Sequence, residues 1–148
     1  MSRRTADRLR QLGILLIAIS IVVGLLIPAT VVPELTLATH ITMLLSGLMF
    51  IAFGSLWTRL QLGPKGERLA FWGLVLGSFG NLTTSLFGAF TRIGGGALSM
   101  AAGEHVGTES QEAVFSLAVL AVVLSTSAGI FTVLWGARGL VAPEQEQA

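Results

Sequence analysis

A chain of 148 residues that is 53% hydrophobic and only 11% charged has too few polar side chains to solvate a globular domain, so it reads as one membrane domain. A net charge of +1 offers neither a basic stripe nor an acidic tail, which leaves no case for nucleic acid or another polyanion as partner. Cysteine is absent, and with it disulfides, thiolate nucleophiles, thiolate-ligated haem and cysteine-bound zinc or iron–sulfur centres.

The nine basic and eight acidic side chains all fall outside four apolar runs, Leu12 to Val32, Ile41 to Trp57, Leu69 to Phe90 and Ala113 to Ala137. A helix needs about 20 apolar residues to cross a hydrocarbon core of about 30 Å, and an ionised group at its centre costs roughly 2.5–3.5 kcal/mol. The expected fold is an all-α integral membrane protein, an antiparallel four-helix transmembrane bundle. Its single domain covers residues 1–140, with spans at about 12–32, 38–58, 69–90 and 113–137 and a short cytoplasmic tail at 141–148.

The first run follows Arg3, Arg4, Arg8 and Arg10, as a signal sequence would. It exceeds the roughly 7–15 residues of such a core, and no small-x-small cleavage site follows Pro28, so it reads as a retained helix. Pro33 to Thr39 connects it to the second helix, and Thr58 to Arg68, with Gly63-Pro64, leads to the third. Short connections make neighbours antiparallel. With the N-terminus inside, Arg59, Lys65, Arg68 and Arg138 join the N-terminal arginines on the cytoplasmic side and only Arg92 is outside. Both termini are then expected on the cytoplasmic side of the inner membrane, with Trp57, Trp72 and Trp135 at headgroup level there.

The third connection, Thr91 to Gln111, is Gly-rich (Gly94, Gly95, Gly96, Gly103, Gly107) and lacks the G-x-x-x-x-G-K spacing of a phosphate cradle. It reads as a mobile outer loop or as a lid over a site opening to that side. Thr108 and Gln111 have capping-box spacing at the start of the fourth helix. Small residues recur four apart at Gly73 and Gly77, at Gly80, Thr84 and Gly88, and at Ser125 and Gly129, which lets helices approach closely. So small a bundle has little interior, and some of these seams are expected to face a second copy in a homo-oligomer.

Few polar side chains lie at membrane depth. His40 stands about 9 Å down the second helix; Asn81, thirteen residues past Arg68, is about 20 Å up the third and about 10 Å below the outer face. The two share a depth. Ser85 is one turn further out on the face of Asn81, with Thr84 beside it, and Ser46 is deeper on the second helix. His40 is open to two readings, an interfacial histidine bonded to a carbonyl or headgroup, or a metal ligand. Asn81 is either interhelical glue, worth about 0.6–2 kcal/mol, or a functional amide. Thr126, Thr132 and Ser20 read as bonding their own backbone, His105 as solvated, and Met43 and Met49 as packing. No span holds an ionisable carboxylate or amine, which excludes a proton-coupled exporter and argues against an ion channel. A lone imidazole beside an apolar, glycine-rich groove suits a flat hydrophobic cofactor such as haem.

The stretch Thr39-His40-Ile41-Thr42-Met43-Leu44-Leu45-Ser46-Gly47-Leu48-Met49-Phe50-Ile51-Ala52-Phe53-Gly54 resembles the second helix of the hydroxylaminobenzene mutases and, more distantly, of the styrene oxide isomerases, both small four-helix membrane proteins. Gly80-Asn81-Leu82-Thr83-Thr84-Ser85-Leu86-Phe87, the Gly94 to Gly96 run and Gln111-Glu112 fit the mutase pattern as well. The resemblance implies haem b on His40, between the protomers of a trimer, with ferric iron acting as a Lewis acid. Asn81 matches an asparagine of the third helix, while Ser46 and Ser85 stand where the epoxide isomerases carry Asn and Tyr, departures that argue against the same epoxide pocket.

The reaction so implied rearranges a small aromatic hydroxylamine, entering from membrane lipid, to an aminophenol. In it Asn81, Ser46 and Ser85 serve as donors to the departing oxygen. Arg92 reads either as a partner of haem propionates or as a snorkelling anchor. The alternatives are isomerisation of an aryl epoxide to an aldehyde, and a non-enzymatic membrane haem-binding or scaffold protein.

Overall fold

The computed structural model describes residues 2–102 and 106–140; the expected tail at 141–148, Gly103 and His105 lie outside the described residues. In chain order come α1 (Ser2–Leu26), α2 (Pro33–Leu56), α3 (Pro64–Thr91), the single-turn α4 (Ser99–Ala102) and α5 (Glu109–Gly136), with 3-10 turns at Ile27–Ala29, Trp57–Arg59 and Ala137–Leu140. Four of these helices are long and apolar enough to cross a membrane, which makes this a multi-pass membrane protein. They outrun the apolar stretches, because the flanking charged residues stay helical in the headgroup region.

Pro33 to Thr39 is helix rather than the connection the sequence suggests. Pro33 occupies the start of α2, where its missing N–H costs nothing, and Glu34 meets the positive end of the helix dipole. The true turn is Ile27 to Val32. It is fastened by the Thr30 hydroxyl donating to the Ile27 carbonyl (3.0 Å), by Thr36 donating to Thr30 (2.8 Å), and by the Val32 amide donating to the Ala89 carbonyl of α3 (3.1 Å). At the opposite end, the Gln61 amide donates to the Gly136 carbonyl of α5 (2.9 Å).

The helices pack as two hairpins, α1 on α2 and α5 on α3, joined where α2 meets α3. Backbone approach governs both hairpins. A Cβ on Gly47 would lie 2.7 Å from the Gly13 carbonyl oxygen, and one on Gly73 would lie 2.8 Å from the Gly129 amide and the Ser125 carbonyl. The second contact uses the small residues that the spacing picks out; the first, Gly13 against Gly47, is an additional seam.

Trp57 departs from the expected headgroup belt. Trp72 and Trp135 are 52% and 62% exposed, but Trp57 is 2% exposed and its indole N–H donates to the Glu67 carboxylate at 3.3 Å. The 3-10 turn after α2 folds this ring under α3, where it joins the core of Leu9, Leu16, Phe50 and Leu74. Gly47→Val, which forces a side chain into the Gly13 backbone, is expected to lower unfolding free energy by about 1–3 kcal/mol. Gly63→Ala, with open space around it, should stay within about 0.5 kcal/mol; denaturant titration in detergent compares the two.

Candidate active site

His40 turns toward α1. Its Nδ1 lies 2.7 Å from the Ser20 carbonyl oxygen, and because a carbonyl only accepts, Nδ1 is the donor. The Ser20 hydroxyl donates to the His40 carbonyl at 3.0 Å and sits 3.2 Å from Nδ1. Ser20 therefore bridges two helices instead of bonding its own backbone, since it is fully buried on the α1 face that meets α2. Thr126 and Thr132 do bond their own helix, donating to the Val122 and Ala128 carbonyls. Gly24, one turn beyond Ser20, makes room for the ring: a Cβ there would stand 2.9 Å from Nδ1. Nε2 has no hydrogen-bond partner among the described residues and is not sealed from the surface.

Two residues along α2, a rotation of about 200° brings the next polar side chain to the other side of the helix. There the Thr42 hydroxyl donates to the Ala38 and Thr39 carbonyls (both 3.0 Å), so its oxygen accepts from Asn81 Nδ2 at 3.2 Å. Asn81 Oδ1 in turn accepts from the Ser85 hydroxyl at 3.4 Å. This chain fixes the amide's orientation. Ser46, one turn below Thr42, lines the same groove with Asn81, Ser78 and Thr126, a space of about 320 Å³ between α2, α3 and α5.

The shared depth of His40 and Asn81 is as the sequence suggests, because Asn81 pairs with a residue two places from His40. Their directions are not: His40 faces α1 and Asn81 faces away from it across α2, so one chain does not bring them together. Asn81, Ser85 and Ser46 do come together, with Thr42 as a fourth member that sequence reasoning passes over although it lies inside the His40 motif. Arg92 ends α3 in the left-handed conformation (φ 61°), exposed, with its cation at the negative end of the helix dipole. No hydrogen bond joins it to His40 or Asn81 among the described residues.

The Gly-rich connection is anchored. The Glu112 carboxylate, in the first turn of α5, accepts from the amides of Gly94 (2.9 Å), Gly107 (2.8 Å) and Gly96 (3.1 Å). Gln111 accepts from the Thr108 amide (2.9 Å), completing the capping box. Beside this staple, Thr84, Phe87, Ile93, Gln111 and Phe115 border a larger apolar recess of about 600 Å³.

Among the described residues no three His, Asp or Glu side chains gather into a metal cage. The result is a multi-pass membrane protein whose reactive groups at membrane depth, an imidazole, an amide and hydroxyls, are uncharged or able to be so. The chain belongs to the styrene oxide isomerase family, whose sequence model matches residues 5–138. It is similar to hydroxylaminobenzene mutase HabB of Ectopseudomonas oleovorans, 34% identical over 143 residues that cover 97% of this chain and 87% of that protein. Hydroxylaminobenzene mutase HabA of the same organism is 28% identical over 124 residues, covering 84% of this chain and 92% of HabA. No solved structure matches. The protein is thus a membrane isomerase.

Glu112→Ala removes the carboxylate that accepts from all three loop amides. Hydrogen exchange at Gly94, Gly96 and Gly107 is expected to quicken by an order of magnitude or more, since a hydrogen bond to a charged group is worth about 1.5–3 kcal/mol, while amides in the middle of α2 keep their protection.

Proposed function

We propose that this isomerase rearranges arylhydroxylamines to aminophenols at haem b held by His40. The observation that carries the reading is an imidazole whose Nδ1–H is spent on the Ser20 carbonyl and whose Nε2 is open, in a chain 34% identical to a hydroxylaminobenzene mutase. The residues fit the group: a neutral imidazole fixed by a carbonyl is the usual donor to a single-ligand iron, and Gly24 clears space for the ring. Bound there, ferric haem would supply Lewis-acid chemistry.

The chain's own groups do the rest. The rearrangement breaks N–O, forms C–O on the ring and moves one proton from carbon to nitrogen, with no net redox change. Asn81 spends one amide N–H on Thr42 and keeps the second for the oxygen as it departs; Ser46 offers a hydroxyl in the same groove. Ser85 donates to Oδ1 and so holds the amide nitrogen toward Thr42 and the groove. A small aromatic substrate would enter this groove from lipid.

His40 and Asn81 face opposite sides of α2, so this reading takes a homo-oligomer, a trimer by resemblance, in which His40 of one protomer meets the Asn81 groove of its neighbour. Arg92 is the cation available to propionates on the outer side. The arginine distribution supports both termini in the cytoplasm and residence in the inner membrane.

Membranes given phenylhydroxylamine and styrene oxide in parallel are expected to form aminophenol. Conversion of styrene oxide alone would select the epoxide reading, which the family's name favours, and conversion of neither would leave a binding or scaffold protein. In purified protein a Soret band should vanish in His40→Ala. Asn81→Leu should lower turnover about 10²-fold while keeping the haem; equal loss of both would make Asn81 structural.

A further inference from the structure

We infer that α1, through Ser20 and Gly24, fixes the His40 imidazole in its Nδ1–H form, so that Nε2 is the ligating atom and Nδ1 the handle by which the iron is kept ferric. This rests on the haem reading above and assigns Ser20 as a positioning residue. The heavy atoms settle the proton in the neutral ring. The Ser20 carbonyl can only accept, and the Ser20 hydroxyl gives its hydrogen to the His40 carbonyl and so turns a lone pair to Nδ1. The opposite tautomer would set the Nδ1 lone pair against the Ser20 carbonyl oxygen at 2.7 Å, whichever way the hydroxyl turns. The carbonyl also accepts from its own helix, which its two lone pairs allow.

Gly24 supplies the steric half. The ring occupies the place where a side chain would stand, with Nδ1 and Cε1 within 2.9 and 3.1 Å of a Cβ at that position. Ser20 and Gly24 are one helical turn apart, so a single face of α1 both receives the proton and clears the ring. A histidine whose N–H is accepted by oxygen is a stronger donor through its other nitrogen, and hydrogen bonding behind the axial ligand is one of the levers on haem potential. Two acceptors on Nδ1–H therefore favour the ferric, electrophilic form that a Lewis-acid isomerisation needs. Removing the hydroxyl weakens that donation and leaves the main-chain acceptor in place.

The test combines nitrogen-15 NMR of histidine-labelled, cofactor-free full-length protein with redox titration of the haem-loaded protein. Wild type is expected to show a protonated Nδ1 and a bare Nε2 in the neutral form of the ring. Ser20→Ala should retain haem at wild-type stoichiometry with its midpoint potential shifted upward. Gly24→Ala should displace the ring and lower haem retention several-fold, and Gly63→Ala should change neither. A proton on Nε2 in wild type, or an unchanged potential in Ser20→Ala, would overturn the inference. Wild type that never takes up haem yet shows Nδ1–H would overturn the haem reading alone, with the tautomer assignment standing.

Discussion

An unpaired polar group in hydrocarbon costs several kcal/mol, and the placement of the buried polar groups in this molecule answers to that cost. It drives the charged side chains out of the four spans and then dictates what the remaining polar groups do. Among the described residues no buried side-chain nitrogen or oxygen lacks a partner. The partners are specific. Ser20 and His40 satisfy each other across the α1–α2 seam, and Thr42, Asn81 and Ser85 satisfy one another between α2 and α3. The contacts that make these groups tolerable in a membrane also orient them, so stability and pre-organisation have one physical source here.

That economy separates two kinds of catalytic equipment. An intramembrane carboxylate would demand a counter-charge or a water-filled cavity. An imidazole, an amide and a set of hydroxyls demand neither, and in the proposed reading they serve a redox-neutral rearrangement. The close approaches at Gly13 against Gly47 and Gly73 against Gly129 hold the hairpins tightly enough for bonds of about 3 Å to form between helices. Outside the spans a full charge is affordable, and Glu112 uses one to gather three loop amides at the mouth of α5.

The sequence discloses whatever is fixed by hydropathy and by spacing along one helix. The four spans, the Thr108–Gln111 cap, the Gly73 and Gly129 packing and the common depth of His40 and Asn81 are all of that kind. Direction across helices is not. Whether Ser20 bonds its own turn or reaches over to α2 depends on which face of α1 is buried, and the local residues are identical in both cases. For the same reason Thr42 is passed over and the opposite facing of His40 and Asn81 is invisible in one dimension. Trp57 misleads because an aromatic at a helix end fits a headgroup belt as well as a buried turn. The anchoring of the Gly-rich connection by Glu112 is hidden likewise, because the amides of Gly94, Gly96 and Gly107 meet its carboxylate only in the folded chain. Pro33 is legible as a helix start, since a proline followed by glutamate is an ordinary one.

The proposed reaction centre joins the imidazole of one chain to the amide groove of another. Co-expression of His40→Ala with Asn81→Leu tests it most directly, because each variant alone lacks one half of every site. If the centre lies between chains, the mixed oligomers regain part of the arylhydroxylamine turnover, through sites that draw the intact histidine from one protomer and the intact asparagine from the other. Mixed oligomers that form, verified by two affinity tags, yet stay as inactive as either parent would rule out a centre shared between chains.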